Sequence, residues 1–208
     1  LPQGAAAAYG EFKELVLPYA MGNTHPRFWA WFMGNGTPFA AVGDFLAAVL
    51  NPNMGGGNHV PNHVEAQVID WCKEIVGFPL TASGLLVSGG SMANFVGLAV
   101  ARNSRAGVDV RTEGVAAIAR PLITYASLEV HSCVQKAIES LGLGARSLRK
   151  VPVNAAYEID VAALERMIRE DRAAGLQPFC VIGNAATINT GATDDLDALA
   201  TVCEREKL

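Results

Sequence analysis

Several signals are missing from this sequence, and each absence narrows what it can be. No apolar run approaches the roughly 18 residues that a membrane-spanning helix needs; the most apolar helical stretch, Ala40 to Leu50, carries Asp44 in its middle. No basic stripe stands out: Lys+Arg 16 against Asp+Glu 20 leaves a formal charge of −4, which argues against a nucleic-acid partner. The four cysteines, Cys72, Cys133, Cys180 and Cys203, form no CxxC pair. With no secretory signal in view they read as reduced thiols of a cytoplasmic protein. No metal site is expected, because His59 and His63 stand four apart without a third ligand at a convincing spacing. Charged residues are only 17% of the chain against 50% hydrophobic, too apolar for disorder. The chain starts at Leu1 rather than Met, and Asp194 to Leu208 reads as a helix that simply stops, so both ends look cut.

What is present falls into two parts. Residues 1–80 are aromatic, Gly-rich and Asn-rich, with Phe28, Trp29, Trp31 and Phe32 followed by the Asn51–Asn58 loop. They read as helix, irregular segment, helix, loop, and a helix from about Asn62 to Val76. A long Gly/Asn loop is costly to order unless it lines a site or an interface. Residues 81–208 alternate short β-rich runs with amphipathic helices. Strands are expected at Gly84–Ser88, Pro121–Ala126, Ser147–Val153 and Pro178–Gly183, with helices at about Ser91–Arg105, from near Glu129, and behind Asp160 as N-cap. Val134, Ala137, Ile138 and Leu141 have the i, i+3, i+4, i+7 spacing of one helical face. A last helix is expected behind Thr193 or Asp194, with Leu196, Leu199, Ala200 and Cys203 inward. This alternation predicts an α/β domain with a mainly parallel sheet and helices on both faces.

The strongest chemical signal is Ser88-Gly89-Gly90-Ser91-Met92-Ala93-Asn94 between a strand and a helix. Two glycines let backbone approach a ligand, and the free N–H groups of a first helical turn favour an anion. The segment is neither GxxxxGK[ST] nor GxGxxG, and a plain tight turn with a serine cap remains open. A second reading is a GxSxG-like nucleophile elbow at Ser91, with Asp109 and His131 as triad partners by chain order. His131 follows the second expected strand, and Asn184 to Ala192 follows the fourth. Both therefore fall at the C-terminal edge of the sheet, where open α/β sheets bind ligands.

Four segments together resemble the pyridoxal-5′-phosphate-dependent group II amino acid decarboxylases, the family of aromatic-amino-acid, histidine and glutamate decarboxylases. They are His25–Phe32, Gly84–Asn94, His131–Ala137 and Ala186–Ala192, in matching order and spacing. The resemblance implies the fold-type I architecture of pyridoxal-phosphate enzymes, truncated here after the fourth expected strand and its helix. It implies a substrate-shaping and dimer-forming segment at 1–80 and the first part of the large cofactor-binding domain at 81–208. By the same resemblance Gly90, Ser91 and Met92 would hold the cofactor phosphate. His131 would stack on the pyridine ring as the catalytic residue, Thr187 would lie near that ring, and Trp31 and Phe32 would shape the substrate pocket across a homodimer interface. Ile188 stands where many members carry a second threonine. The family's HVDAAYGG-like and HKW motifs are absent, and Lys13, Lys73, Lys136, Lys150 and Lys207 have no matching context, so the Schiff-base lysine is expected outside this stretch. The implied function is decarboxylation of an aromatic or similar L-amino acid, with this stretch inactive alone. A Ser91 hydrolase and a non-catalytic fragment stand as alternatives.

Overall fold

The computed structural model describes residues 2–30, 33–34, 36–55 and 57–208. The chain forms two compact units, residues 1–81 and 82–208.

In the first unit, α1 spans Ala5–Glu11, α2 Pro38–Leu50 and α3 Val60–Val76. Thr37 caps α2 by accepting from the Ala40 amide, with Pro38 in the first turn where its missing N–H costs nothing. Asn51 ends α2 in the left-handed region at φ 40°. α3 starts two residues earlier than its periodicity suggested, because Pro61 suits a first helical turn. Gly77, at φ 68°, stops it. Lys73 is buried and held by Asp70 at 2.7 Å and the Leu80 carbonyl at 2.9 Å. No residue of α2 is buried, and Phe39 stands 90% exposed. Phe45, Leu46 and Val49 of the same helix are exposed as well.

The second unit holds a three-stranded sheet in the order β2-β1-β3. β1 is Leu122–Ser127, β2 Leu148–Val151 and β3 Gln177–Ile182. Both pairings are parallel, with Thr124 opposite Leu148 on one side and Cys180 on the other. Between and around the strands run α4 (Gly90–Arg105), the short α5 (Val110–Glu113), α6 (Ser132–Ser140), α7 (Val161–Ala173) and α8 (Leu196–Glu206). Every residue of β1 is buried. Alternate side chains feed opposite layers, as a strand period of two requires. Ala126 packs with Leu98, Val134, Ala137 and Ile138 from α4 and α6. Ile123 and Tyr125 pack with Leu164, Ile168, Leu199 and Val202 from α7 and α8. Helices thus cover both faces, as the alternation predicted.

Three sequence expectations are corrected. Gly84–Ser88 does not join the sheet: Leu85 and Leu86 are each 57% exposed, and an apolar run becomes a parallel strand only where a neighbour pairs with it. The second helix begins at Ser132 rather than near Glu129, because His131 is its cap. The last helix is capped by Asp195, which accepts from the Ala198 amide, rather than by Thr193 or Asp194. Leu199 is buried there as expected, but Leu196 and Ala200 are exposed. By contrast Asp160 caps α7 from the expected position, accepting from the Ala163 amide at 3.0 Å.

One buried polar cluster ties the layers together. The Tyr125 hydroxyl donates to Asp171 at 2.7 Å, and Arg149 of β2 donates to the same carboxylate through Nε and Nη2, the shortest contact at 2.9 Å. Burial by itself raises the Asp171 carboxyl, but the hydrogen bonds from Arg149 and Tyr125 outweigh it and hold the group below the usual carboxylate range. Burial, then the Asp171 hydrogen bond, pushes the Tyr125 phenol upward. A depressed carboxyl contributes stability that is present above its unfolded pKa and lost as pH falls through the folded one. In the full-length gene product, Arg149→Ala should therefore cost about 3 kcal/mol by stranding a buried carboxylate, and Tyr125→Phe about 1 kcal/mol. In thermal unfolding against pH, the gap between wild type and Asp171→Asn should be widest near neutrality and shrink as pH drops below about 4; a gap that is flat in pH would refute this account.

Candidate functional site

The site grows from the C-terminal ends of β1 and β3. After Ser127, a turn closed by the Val130 amide on the Ser127 carbonyl at 3.1 Å delivers His131 to the start of α6. His131 caps that helix through its ring: Nδ1 accepts from the Cys133 amide at 3.2 Å. An accepting Nδ1 carries no proton, so this geometry assigns the neutral ring's proton to Nε2. After β3, Asn184 opens a loop that returns at Asp194. Within it the Thr187 amide donates to Ala192 and the Gly191 amide to Thr187, each at 2.8 Å, and the Thr187 and Thr190 hydroxyls lie 2.6 Å apart. Thr187 is buried and Ile188 is 58% exposed. The two strand ends enclose a cavity of about 200 Å³ lined by His131, Asn184, Thr187 and Ile188, with Asn94 from α4.

Gly90, Ser91 and Met92 form the exposed first turn of α4. Gly89, just before it, has φ 155° and ψ 173°, a region that only glycine occupies without strain. No side chain caps this helix, and its first intrahelical bond is the Ala93 amide to the Gly89 carbonyl at 3.0 Å. The amides of Gly90, Ser91 and Met92 are therefore first-turn donors without intrahelical partners. A Cβ placed on Gly89 or Gly90 would meet nothing within 4 Å. Open donors, a helix dipole and a serine hydroxyl suit a phosphate ester. Ser91 and Met92 line a second cavity of about 270 Å³ between α4 and α6, with Phe95 and Lys136. Cys133 is a wall of both cavities. The structure thus brings His131 and Thr187 into one cavity and sets Ser91 and Met92 beside it. Trp31 and Phe32 lie outside the described residues.

The hydrolase arrangement does not form. Asp109 is exposed and spends its carboxylate on the Thr112 hydroxyl at 2.6 Å and the Arg111 amide at 3.1 Å. Those bonds, led by Thr112, hold it below the usual carboxylate range. It lines neither cavity. A serine–histidine–aspartate relay needs the Nδ1 proton directed at the carboxylate, and here Nδ1 is an acceptor. Among the described residues no group of three or more His, Cys, Asp or Glu is placed to hold a metal ion, and no helix is long and apolar enough to cross a membrane.

Sequence reasoning placed Asn184 at the sheet edge, where it lines the cavity, but missed Asp194 as its buried partner. The buried Asp194 carboxylate accepts from the Ile159 amide at 2.7 Å, the Asn184 amide at 2.7 Å and the Asn184 side chain at 3.0 Å. The available signal was two adjacent aspartates before α8, of which a helix needs one as cap.

Comparison with known proteins identifies the family. The conserved domain of pyridoxal-dependent decarboxylases matches residues 5–208. The chain is 37% identical to the aromatic-L-amino-acid decarboxylase of Bacillus atrophaeus over 184 residues, covering 88% of this chain and 36% of that protein. It is 32% identical to the cysteine sulfinic acid decarboxylase of Rattus norvegicus over 195 residues, covering 93% of this chain and 39% of that protein. The crystal structure of mouse CSAD in apo form aligns with a TM-score of 0.90 at 31% identity, over 100% of this chain and 44% of that one. The chain therefore spans well under half the length of the relatives it matches, and its fold is theirs over that span. An uncapped Gly-Gly-Ser helix tip beside a histidine-lined strand end and a match over residues 5–208 lead to one assignment: the chain belongs to the pyridoxal-dependent decarboxylase family.

Proposed function

We propose that this chain supplies the phosphate and ring-face contacts of a pyridoxal 5′-phosphate-dependent decarboxylase that releases CO2 from an aromatic or similarly apolar L-amino acid. The observation that carries the reading is the open Gly89–Gly90–Ser91 helix tip set beside the His131–Thr187 cavity, in a chain of that family. When bound, the cofactor's protonated pyridine ring supplies the electron sink for loss of the carboxylate.

The chain's own residues bind and orient. The Gly90, Ser91 and Met92 amides, with the Ser91 hydroxyl, would hold the phosphate. The His131 imidazole would cover one face of the ring, its orientation fixed by the bond from the Cys133 amide. That bond occupies Nδ1 and leaves Nε2 uncommitted to the helix. Thr187, buried and tied to Thr190, would close the side of the ring. Fixed contacts of this kind favour reaction by holding the scissile bond in a productive geometry. The lysine and the carboxylate that complete the chemistry are assigned outside these 208 residues. The substrate side is assigned to Trp31 and Phe32 with the Met54–Asn58 loop, across a homodimer interface in the cytoplasm. The exposed apolar faces of the first unit support a partner there. Identity of 37% to an aromatic-amino-acid enzyme against 32% to a cysteine sulfinic acid enzyme supports the apolar substrate.

Three outcomes test this reading in the full-length gene product. It should take up pyridoxal 5′-phosphate, gain the yellow absorbance of the bound cofactor and release CO2 from an aromatic L-amino acid; no absorbance and no CO2 would reject the reading. Gly89→Ala should weaken cofactor affinity about tenfold, since a non-glycine residue there costs about 1 to 3 kcal/mol. His131 separates cap from ring. Asparagine caps helices well, so His131→Asn should keep stability within about 0.5 kcal/mol and lose activity, whereas His131→Phe should lose about 1 kcal/mol of stability and retain cofactor binding. Equal cofactor affinity in the two variants would remove the ring-face role. Covalent labelling by a fluorophosphonate, abolished by Ser91→Ala, would instead restore the hydrolase.

A further inference from the structure

We infer that Asp194 is a positioning residue of this site: its buried carboxylate clamps the Asn184–Asp194 loop to the end of β1 and so fixes Asn184 and Thr187 relative to His131. The inference rests on the reading of the cavity as a cofactor site, and it adds a role for a residue that lines no part of that cavity.

Asp194 is 2% exposed. Among the described residues it has no cationic partner, and a buried carboxylate in that condition survives only where hydrogen bonds replace water. The replacements are the Ile159 amide, the Asn184 amide and the Asn184 side chain. None of these is a helix-capping bond. α8 already has its cap in Asp195, so the carboxylate of Asp194 is not needed to start that helix. Its backbone closes the same neck, the Asp194 amide donating to the Asn184 carbonyl at 2.9 Å.

The clamp reaches the site in two short steps. Asn184 Nδ2 donates both to Asp194 and to the Ser127 hydroxyl, at 3.0 and 3.1 Å. Both amide hydrogens are thereby used, which fixes the rotamer of a residue on the cavity wall. Ser127 is the last residue of β1, fully buried, and the turn that carries His131 hangs from its carbonyl. On the other side, the loop closed at its neck carries Thr187, which is bonded within that loop to Ala192, Gly191 and Thr190. Asparagine at 194 would have one accepting oxygen where two are used, and would turn an N–H toward donors that already point inward.

The test uses the full-length gene product. Wild type should bind pyridoxal 5′-phosphate and release CO2; failure there rejects the proposed function and the inference with it, whereas a loss confined to the variants bears on the clamp alone. In Asp194→Asn the dissociation constant for pyridoxal 5′-phosphate, titrated into apoprotein by fluorescence quenching, should rise about tenfold, and kcat should fall at least about tenfold while KM moves less than about threefold. Asp195→Ala is the control. It loses the α8 cap and so lowers the melting temperature, but it should leave cofactor affinity and kcat at wild-type values. A folded Asp194→Asn with unchanged affinity and kcat overturns the inference, as does an Asp195→Ala with the same losses. If Asp194→Asn does not fold, Ser127→Ala removes a single link of the clamp and should raise the cofactor dissociation constant about threefold; no rise overturns the inference.

Discussion

The candidate site depends on a strand that sees no water. All residues of β1 are buried, β2 and β3 pair with it on either side, and its alternate side chains reach helix layers on both faces. Both site loops are referred to the end of this strand. His131 follows it directly, and Asn184 at the end of β3 is bonded to Ser127, its last residue. A site on loops is only as well defined as the rigid element beneath them. The Tyr125–Asp171–Arg149 cluster serves the same end, because it ties β1, β2 and α7 through one carboxylate. Losing Arg149 would leave the Asp171 carboxylate buried without its charged partner, which is how such a cluster favours a single arrangement.

Much of this frame was legible in the sequence where local rules decide it. The apolar runs of β1 and β3, the Val134–Ala137–Ile138–Leu141 face of α6, the Asp160 cap and the Gly-Gly-Ser tip all follow from periodicity and cap chemistry, which act within a few residues. Errors arose where the deciding partner is distant. Gly84–Ser88 has the composition of a buried strand, but strand formation is settled by a neighbouring chain, not by composition. Asp194 and Asp195 are equally good cap residues. What separates them is Ile159, a partner 35 residues away in sequence. The same holds for Tyr125 and Asp171, separated by 46 residues, which no local pattern connects. The candidate site was half legible for the same reason. Ser91, His131 and Thr187 could be placed by their positions after expected elements, whereas the residue that holds the Thr187 loop in place could not.

The start of α6 shows how structure and chemistry share one residue. A helix start leaves amides that need acceptors, and asparagine, aspartate, serine or threonine usually supplies the oxygen. Here the acceptor is an imidazole nitrogen. That choice has three physical consequences at once: it satisfies a backbone donor, it locks the ring plane relative to the helix, and it fixes the tautomer by removing the proton from Nδ1. A ring held only by packing could turn over and exchange its two nitrogens, and with them donor for acceptor. A ring held by the backbone of its own helix cannot do so without unmaking the first turn. The orientation of the His131 ring is therefore set by secondary structure, and the bonds from the Asn184 amide and side chain to Asp194 apply the same logic through a carboxylate behind the cavity lining. His131 and the Thr187 loop are thus both referred to backbone groups of the fold rather than to side-chain packing alone.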